Sequence, residues 1–161
     1  MIASPKMTKV PASPLYYEDI EVGRVFRTGS IEVTAEEITT FAARYDPQPF
    51  HLDVTAGTEH RVFGGLVASG WLTAGLAMRL MILSDFKLGG GAVGLGIDSL
   101  RWPRPVRPGD RLSSVIEIKG KRLSESKPGY GIMRIDTTTT NQNGEVVLTK
   151  SAHVLVPLRP L

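Results

Sequence analysis

Two side chains that can share one water molecule lie five positions apart, and the backbone between them is stiff. Asp46 and His51 bound the run Asp-Pro-Gln-Pro-Phe-His. Each proline fixes its own φ angle and restricts the residue before it, so this loop has few conformations. A carboxylate and an imidazole held near each other can orient a water molecule and move its protons. The alternative is that Asp46 only ends a helix and His51 is a structural histidine.

A glycine-rich segment is the second candidate for chemistry. Residues 63–70 read Phe-Gly-Gly-Leu-Val-Ala-Ser-Gly and begin an apolar stretch, residues 63–83, that we interpret as one long helix. A helix start presents unpaired N–H groups, and Gly64 and Gly65 let a ligand approach them, so we expect an oxyanion hole here. The alternative is that these glycines only permit close packing.

Three polar side chains near these segments are candidate ligand contacts. The Gln48 amide can hold the loop or a ligand. Ser69 and Thr73 lie four positions apart, on one face of the predicted helix. Either hydroxyl can contact a ligand, and the alternative is a hydrogen bond back to a helix carbonyl.

Seven basic residues lie between positions 101 and 122, Arg104 and Arg107 among them. They can bind phosphate groups, although such a stretch is more often solvated surface. No metal site is predicted, because His51, Asp53 and His60 do not match a strong metal-binding pattern.

The remaining pattern predicts a mixed α+β domain. Thr34, with Glu37 three positions later, indicates the start of a helix that should end at Asp46, before a proline. Alternating apolar residues and turn signals predict strands at residues 26–33, 92–102, 111–123, 130–140 and 146–156. Lys150 interrupts the apolar face of the last strand. A sheet with one apolar face must cover something, and the long apolar helix is the obvious object.

Length and composition fit one domain of ordinary size. The chain has 161 residues, which we divide into a flexible tail at 1–14 and a domain at 15–161. It has no cysteine, which excludes a thiol nucleophile and disulfides. The net charge of +3 is too small to predict nucleic-acid binding. We expect a cytoplasmic protein without a signal peptide or membrane span.

Three segments together resemble a known family. Residues 45–53, Tyr-Asp-Pro-Gln-Pro-Phe-His-Leu-Asp, are similar to the hydratase motif of MaoC-like proteins, the (R)-specific enoyl-CoA hydratases. Residues 63–71 and 101–110 resemble later segments of the same family. One departure is Gln48, where the common motif has asparagine. The resemblance implies a hot-dog fold, in which an antiparallel sheet wraps a long helix, and a homodimer with active sites near the subunit interface.

The resemblance also implies an activity, the reversible hydration of a trans-2-enoyl thioester to an (R)-3-hydroxyacyl thioester. Asp46 and His51 fall on the family's catalytic pair, Gly65 on the glycine whose N–H binds the thioester oxygen, and Thr73 near a hydroxyl position. No cofactor is implied, because CoA is part of the substrate, and its phosphates would lie near Arg104 or Arg107. Two alternatives remain open, a thioesterase on the same fold and a non-catalytic acyl-thioester-binding module.

Overall fold

The computed structural model describes residues 13–161, so most of the predicted tail lies outside the described residues. Strand β1 (Val25–Glu32) is followed by helix α1 (Ala35–Tyr45). The Thr34 hydroxyl accepts a hydrogen bond from the Glu37 N–H at 3.1 Å, as the capping pattern predicts. The helix ends at Asp46, where the following proline disfavours further helical backbone.

Two short helices follow where the sequence predicted a loop and a loop or broken helix. Helix α2 (Pro49–Leu52) begins at a proline, whose fixed φ suits the first helical position. Helix α3 (Val54–Glu59) begins after Asp53, whose side chain accepts the Ala56 N–H at 2.8 Å. The stiff segment after α1 therefore forms two short helices, and a side chain caps the second of them.

The long helix α4 (Gly70–Leu83) begins seven residues later than predicted. Gly64 adopts a positive φ of 60°, which ends any helical continuity there. The Ala68 N–H donates to the Val106 carbonyl at 2.8 Å, so this segment takes its hydrogen bonds from another part of the chain. Apolar character is continuous from residue 63, but only the part from Gly70 onward is helical.

The strands form one antiparallel sheet in the order β1-β3-β4-β5-β2. The remaining strands are β2 (Val93–Arg101), β3 (Arg111–Leu123), β4 (Tyr130–Thr140) and β5 (Val146–Pro157). All five predicted strands are confirmed to within one residue at each end. β1 and β2 are the edges of the sheet.

Helix α4 packs against one face of this sheet. Its Met81 joins an apolar cluster with Ile116, Ile135 and Val154, from three neighbouring strands. A second cluster joins Leu72, Leu76 and Leu80 of α4 to residues of β3 and β5. This arrangement is the hot-dog fold of the α+β class, as predicted. Within residues 13–161 there is no helix of the length and hydropathy that a membrane span requires.

Candidate active site

The stiff loop brings Asp46 and His51 together. The Gln48 N–H donates to the Asp46 carbonyl at 2.7 Å, and the His51 N–H donates to the Gln48 carbonyl at 3.0 Å. These two turns place His51 Nε2 at 3.3 Å from Asp46 Oδ2. A carboxylate and an imidazole at this separation can both contact one water molecule.

The orientation of the His51 ring is fixed by a backbone carbonyl. Nδ1 lies 2.7 Å from the Val67 carbonyl oxygen, which can only accept a hydrogen bond. Nδ1 therefore carries a proton in the neutral ring, and the lone pair is on Nε2, the atom that faces Asp46. With 5% of its surface exposed, His51 is held rigidly. Nε2 of the neutral ring can therefore accept a proton on the side that faces Asp46.

The Asp46 carboxylate is held in its ionised form. Burial would raise the pKa of Asp46, but hydrogen bonds from Ser69 and Gln48, and the positive charge that His51 carries when it is protonated, lower it below its ordinary value. Gln48 Nε2 lies 2.7 Å from Asp46 Oδ1, so this amide positions the carboxylate. The glutamine side chain, which is longer than the asparagine of the common motif, thus makes its hydrogen bond within the loop.

Asp46 and His51 open into a pocket of about 470 Å³. Its walls are mostly apolar, and they include Phe50, Phe63, Trp71 and Trp102. The Phe50 ring meets the His51 ring edge-on, with centroids 4.5 Å apart. A polar pair set in an apolar pocket is a common arrangement of a small-molecule site.

The structure corrects the predicted oxyanion donors. The Gly65 N–H donates to the Gly57 carbonyl at 2.8 Å, and the Gly64 N–H donates to the His60 carbonyl at 3.1 Å. Neither group is free for a ligand. A Cβ added at Gly57 would lie 2.5 Å from the Gly65 carbonyl oxygen, so this is a close backbone contact. The packing alternative therefore describes Gly65, whereas Gly64 is explained by its positive φ and has open space around it.

A different N–H lies at the pocket. Gly70 lines it and is the first residue of α4, and within residues 13–161 its N–H has no hydrogen-bond acceptor. A helix start carries partial positive charge. A Cβ at Gly70 would lie 2.7 Å from the Trp102 ring, which explains a glycine here. Sequence reasoning missed Gly70 because it began the helix at residue 63; the capping preference of serine was the available signal.

Ser69 and Thr73 have separate roles. The fully buried Ser69 caps α4, its hydroxyl accepting the Trp71 N–H at 3.2 Å, and the same side chain helps to lower the pKa of Asp46. Thr73 lines the pocket, but its hydroxyl donates to the Ser69 carbonyl at 3.4 Å, as the back-bonding alternative predicts. Ser69 thus links the helix start to the carboxylate.

The two candidate phosphate ligands differ. The Arg107 guanidinium donates to the Phe63 carbonyl and lies against Gly65, so it supports the glycine-rich segment and is not a free cation. Arg104 lines the pocket, is largely exposed and pairs with Glu145 at 3.4 Å. Of the two, Arg104 alone lines the pocket, and its contact with a phosphate stays a prediction. Within the described part of the chain, no three histidine or carboxylate side chains cluster as metal ligands would.

A family profile described as a MaoC like domain matches residues 19–141. The chain belongs to the MaoC-like family. This MaoC-like domain is similar to the crystal structure of a MaoC-like dehydratase from Rhodospirillum rubrum, with 44% identity, a TM-score of 0.86 and coverage of 91% of this chain and 99% of that one. It is also similar to an (R)-hydratase from A. caviae involved in PHA biosynthesis, with 31% identity, a TM-score of 0.70 and coverage of 87% and 99%.

Membership of the family does not by itself decide the activity. A third similar structure, from Archaeoglobus, is described as a monoamine oxidase regulatory protein. It shares 30% identity with this MaoC-like domain, with a TM-score of 0.79 and coverage of 91% and 97%. The activity of this chain must therefore be argued from its own site.

Proposed function

We propose that this MaoC-like domain catalyses the reversible hydration of a trans-2-enoyl thioester to an (R)-3-hydroxyacyl thioester. The observation that carries the proposal is the pairing of His51 Nε2 with Asp46 Oδ2 at 3.3 Å in the wall of an apolar pocket. The similarity to the A. caviae (R)-hydratase supports the reaction class and its stereochemistry.

Water is activated by the pair. Asp46 orients a water molecule, and Nε2 of the neutral His51 ring accepts one of its protons. The oxygen forms a bond to C3 of the substrate, while the C2–C3 π electrons move toward the thioester carbonyl. The imidazolium form of His51, stabilised by the Asp46 carboxylate, then returns a proton to C2. The thioester accepts the electron pair, so the reaction requires no metal or redox cofactor.

The negative charge that develops on the thioester oxygen needs a donor. The Gly70 N–H is the candidate, because it lies at the pocket without an acceptor in the described chain and at the positive end of α4. In this proposal Gly70 takes the role that the family resemblance implied for Gly65. The same helix start supports both sides of the reaction, since Ser69 positions Asp46.

We propose that the carrier is CoA and that the enzyme is cytoplasmic. Arg104 lies at the pocket with 58% of its side chain exposed. A flexible exposed guanidinium there can bind a phosphate of the carrier. Its partner Glu145 is also exposed, so the pair is weak and can exchange for a phosphate.

The direct test is the absorbance of the enoyl-thioester band with trans-2-butenoyl-CoA (crotonyl-CoA). We expect the band to disappear and an (R)-specific 3-hydroxyacyl-CoA dehydrogenase to oxidise the product. A thiol reagent in the same assay reports any hydrolysis. Release of free CoA with no loss of the double bond would reject hydration in favour of the thioesterase alternative.

We also propose a homodimer formed through the free edge of β2. Among residues 13–161 this strand is hydrogen-bonded to β5 and to no other strand, and Val93, Leu95 and Ile97 are 51%, 46% and 55% exposed. An exposed apolar edge strand is prone to pair with another chain. Met78 and Ile82 extend this apolar surface onto α4, at 43% and 45% exposed. A second copy would cover both elements.

Sedimentation equilibrium should therefore report twice the chain mass of 17.5 kDa. Ile97→Lys places a charge in the apolar surface and should shift the protein toward the monomer. Val22→Lys, at a position that is 55% exposed and lies before β1, is the matched control and should stay dimeric. A monomeric wild type at micromolar concentration would contradict the dimer.

A further inference from the structure

A buried lysine takes no part in the proposed reaction. Lys150 lies in β5 and is 7% exposed. Within residues 13–161 its ammonium group has no hydrogen bond or ion pair. Burial without a partner lowers the pKa of Lys150, because the charged form has lost its hydration. The sequence had marked this residue as an interruption of an apolar face, and the structure shows no compensating group within the described chain.

A second unpartnered polar group lies beside it. Thr137 of β4 is directly opposite Lys150 in the sheet register, so the two side chains lie on the same face. The Thr137 hydroxyl is buried and has no hydrogen-bond partner within the described residues. The Thr137 hydroxyl therefore does not compensate the charge of Lys150, and it does not line the cavity described next, where only the Lys150 ammonium can meet an anionic group.

Lys150 lines a cavity of about 350 Å³ that is separate from the pocket of Asp46 and His51. Its other walls are largely apolar and include Met78 and Met81 of α4 and Ile97 of β2. None of the lining residues is a carboxylate. His153 also lines it, and its ring is paired with Asp98 at 2.7 Å. The cavity thus places the Lys150 ammonium among apolar side chains that can contact a hydrocarbon chain.

The cavity is the neighbour of the proposed active site along α4. Thr73 lines the active-site pocket, and Met78 lines the Lys150 cavity. Five helical positions separate them, which is a rise of about 7.5 Å along the helix axis. Strand β2 also connects the two sites. Its residue Ile97 lines the Lys150 cavity, and the strand ends just before Trp102, which lines the active-site pocket. An acyl chain with its thioester beside His51 can extend in this direction.

We propose that the Lys150 cavity receives the far end of the acyl chain and that Lys150 binds a carboxylate there. The preferred substrates are then enoyl thioesters of dicarboxylic acids. Met78 and Met81 contact the methylene groups, and the Lys150 ammonium donates to the terminal carboxylate. This assignment names the substrate class of the proposed function. The hydration of that substrate rests on the proposed function, whereas the binding of its acyl chain does not.

Two substrates of equal chain length test the proposal, trans-2-hexenoyl-CoA and trans-2-hexenedioyl-CoA. We expect the wild type to prefer the dicarboxylic substrate at least about tenfold in kcat/KM, since a charged hydrogen bond contributes this much. Lys150→Met should remove the preference through KM, by weakening the binding of the dicarboxylic substrate. Lys119→Met, at a surface lysine paired with Glu117, is the matched control and should keep the preference.

A binding measurement separates this proposal from the reaction itself. Calorimetry with adipoyl-CoA and hexanoyl-CoA, which cannot be hydrated, should show tighter binding of adipoyl-CoA to the wild type and not to Lys150→Met. That result would support the cavity assignment even if no enoyl-CoA were hydrated. Equal binding of the two ligands to the wild type would overturn it. A Lys150→Met variant that binds both ligands equally weakly and loses dimer mass would also overturn it, assigning Lys150 to a subunit contact.

Discussion

Asp46→Asn and His51→Asn should each lower kcat/KM for crotonyl-CoA hydration by about 100-fold to 10,000-fold, the range of general acid–base catalysis. Asparagine at 46 keeps the shape but not the charge that stabilises the imidazolium form of His51. Asparagine at 51 keeps an N–H that can reach the Val67 carbonyl, which His51 Nδ1 contacts at 2.7 Å, but it has no base. The double variant should be hardly slower than the worse single variant, because the two side chains act on one water molecule.

The chain offers a matched control for this experiment. Asp98 and His153 form a second aspartate–histidine pair, with Nε2 and Oδ2 at 2.7 Å and side chains that are 59% and 37% exposed. Asp98→Asn changes the same functional group outside the active-site pocket and should leave crotonyl-CoA hydration within about twofold of wild type, as surface substitutions usually do. Near wild-type rates in both Asp46→Asn and His51→Asn, with folding intact, would reject the assignment.

Lys150→Met should raise the free energy of unfolding at neutral pH by about 1–3 kcal/mol, because it replaces a buried unpaired ammonium with an apolar side chain of similar length. The pKa of Lys150 is lowered in the folded chain, so the unfolded chain binds more protons up to the ordinary value of 10.5. The stability of the wild type should therefore rise with pH over that window. The advantage of Lys150→Met should shrink toward alkaline pH.

Urea denaturation at one fixed protein concentration, at pH 7 and again at more alkaline pH, measures this difference. Lys119→Met is again the control, since that lysine lies at the surface and should change stability by less than about 0.5 kcal/mol. A destabilised Lys150→Met variant would mean that Lys150 has a favourable partner in the folded protein. A gain in stability together with a loss of dicarboxylic preference would be the usual exchange between stability and a binding site.

The sequence predicted the strands and the Asp46–His51 approach because both depend on local signals. Alternating apolar residues set each strand to within a residue, and two prolines limited the loop that holds the pair. The start of α4 depended on a contact distant in sequence, the hydrogen bond from Ala68 to the Val106 carbonyl, which no local pattern contains. The prediction that Gly65 is the oxyanion donor was wrong for the same reason, since its N–H donates to the carbonyl of Gly57 in helix α3.

The walls of the active-site pocket also give the protein its own optical probe. The chain contains two tryptophans, Trp71 and Trp102, and both line this pocket. Their rings meet edge-on with centroids 5.6 Å apart, and they are 61% and 40% exposed, so solvent reaches both. All tryptophan fluorescence of the chain therefore originates at one place. A ligand that displaces water there changes the emission of unlabelled protein, whereas an event confined to the opposite side of the sheet leaves it unaltered.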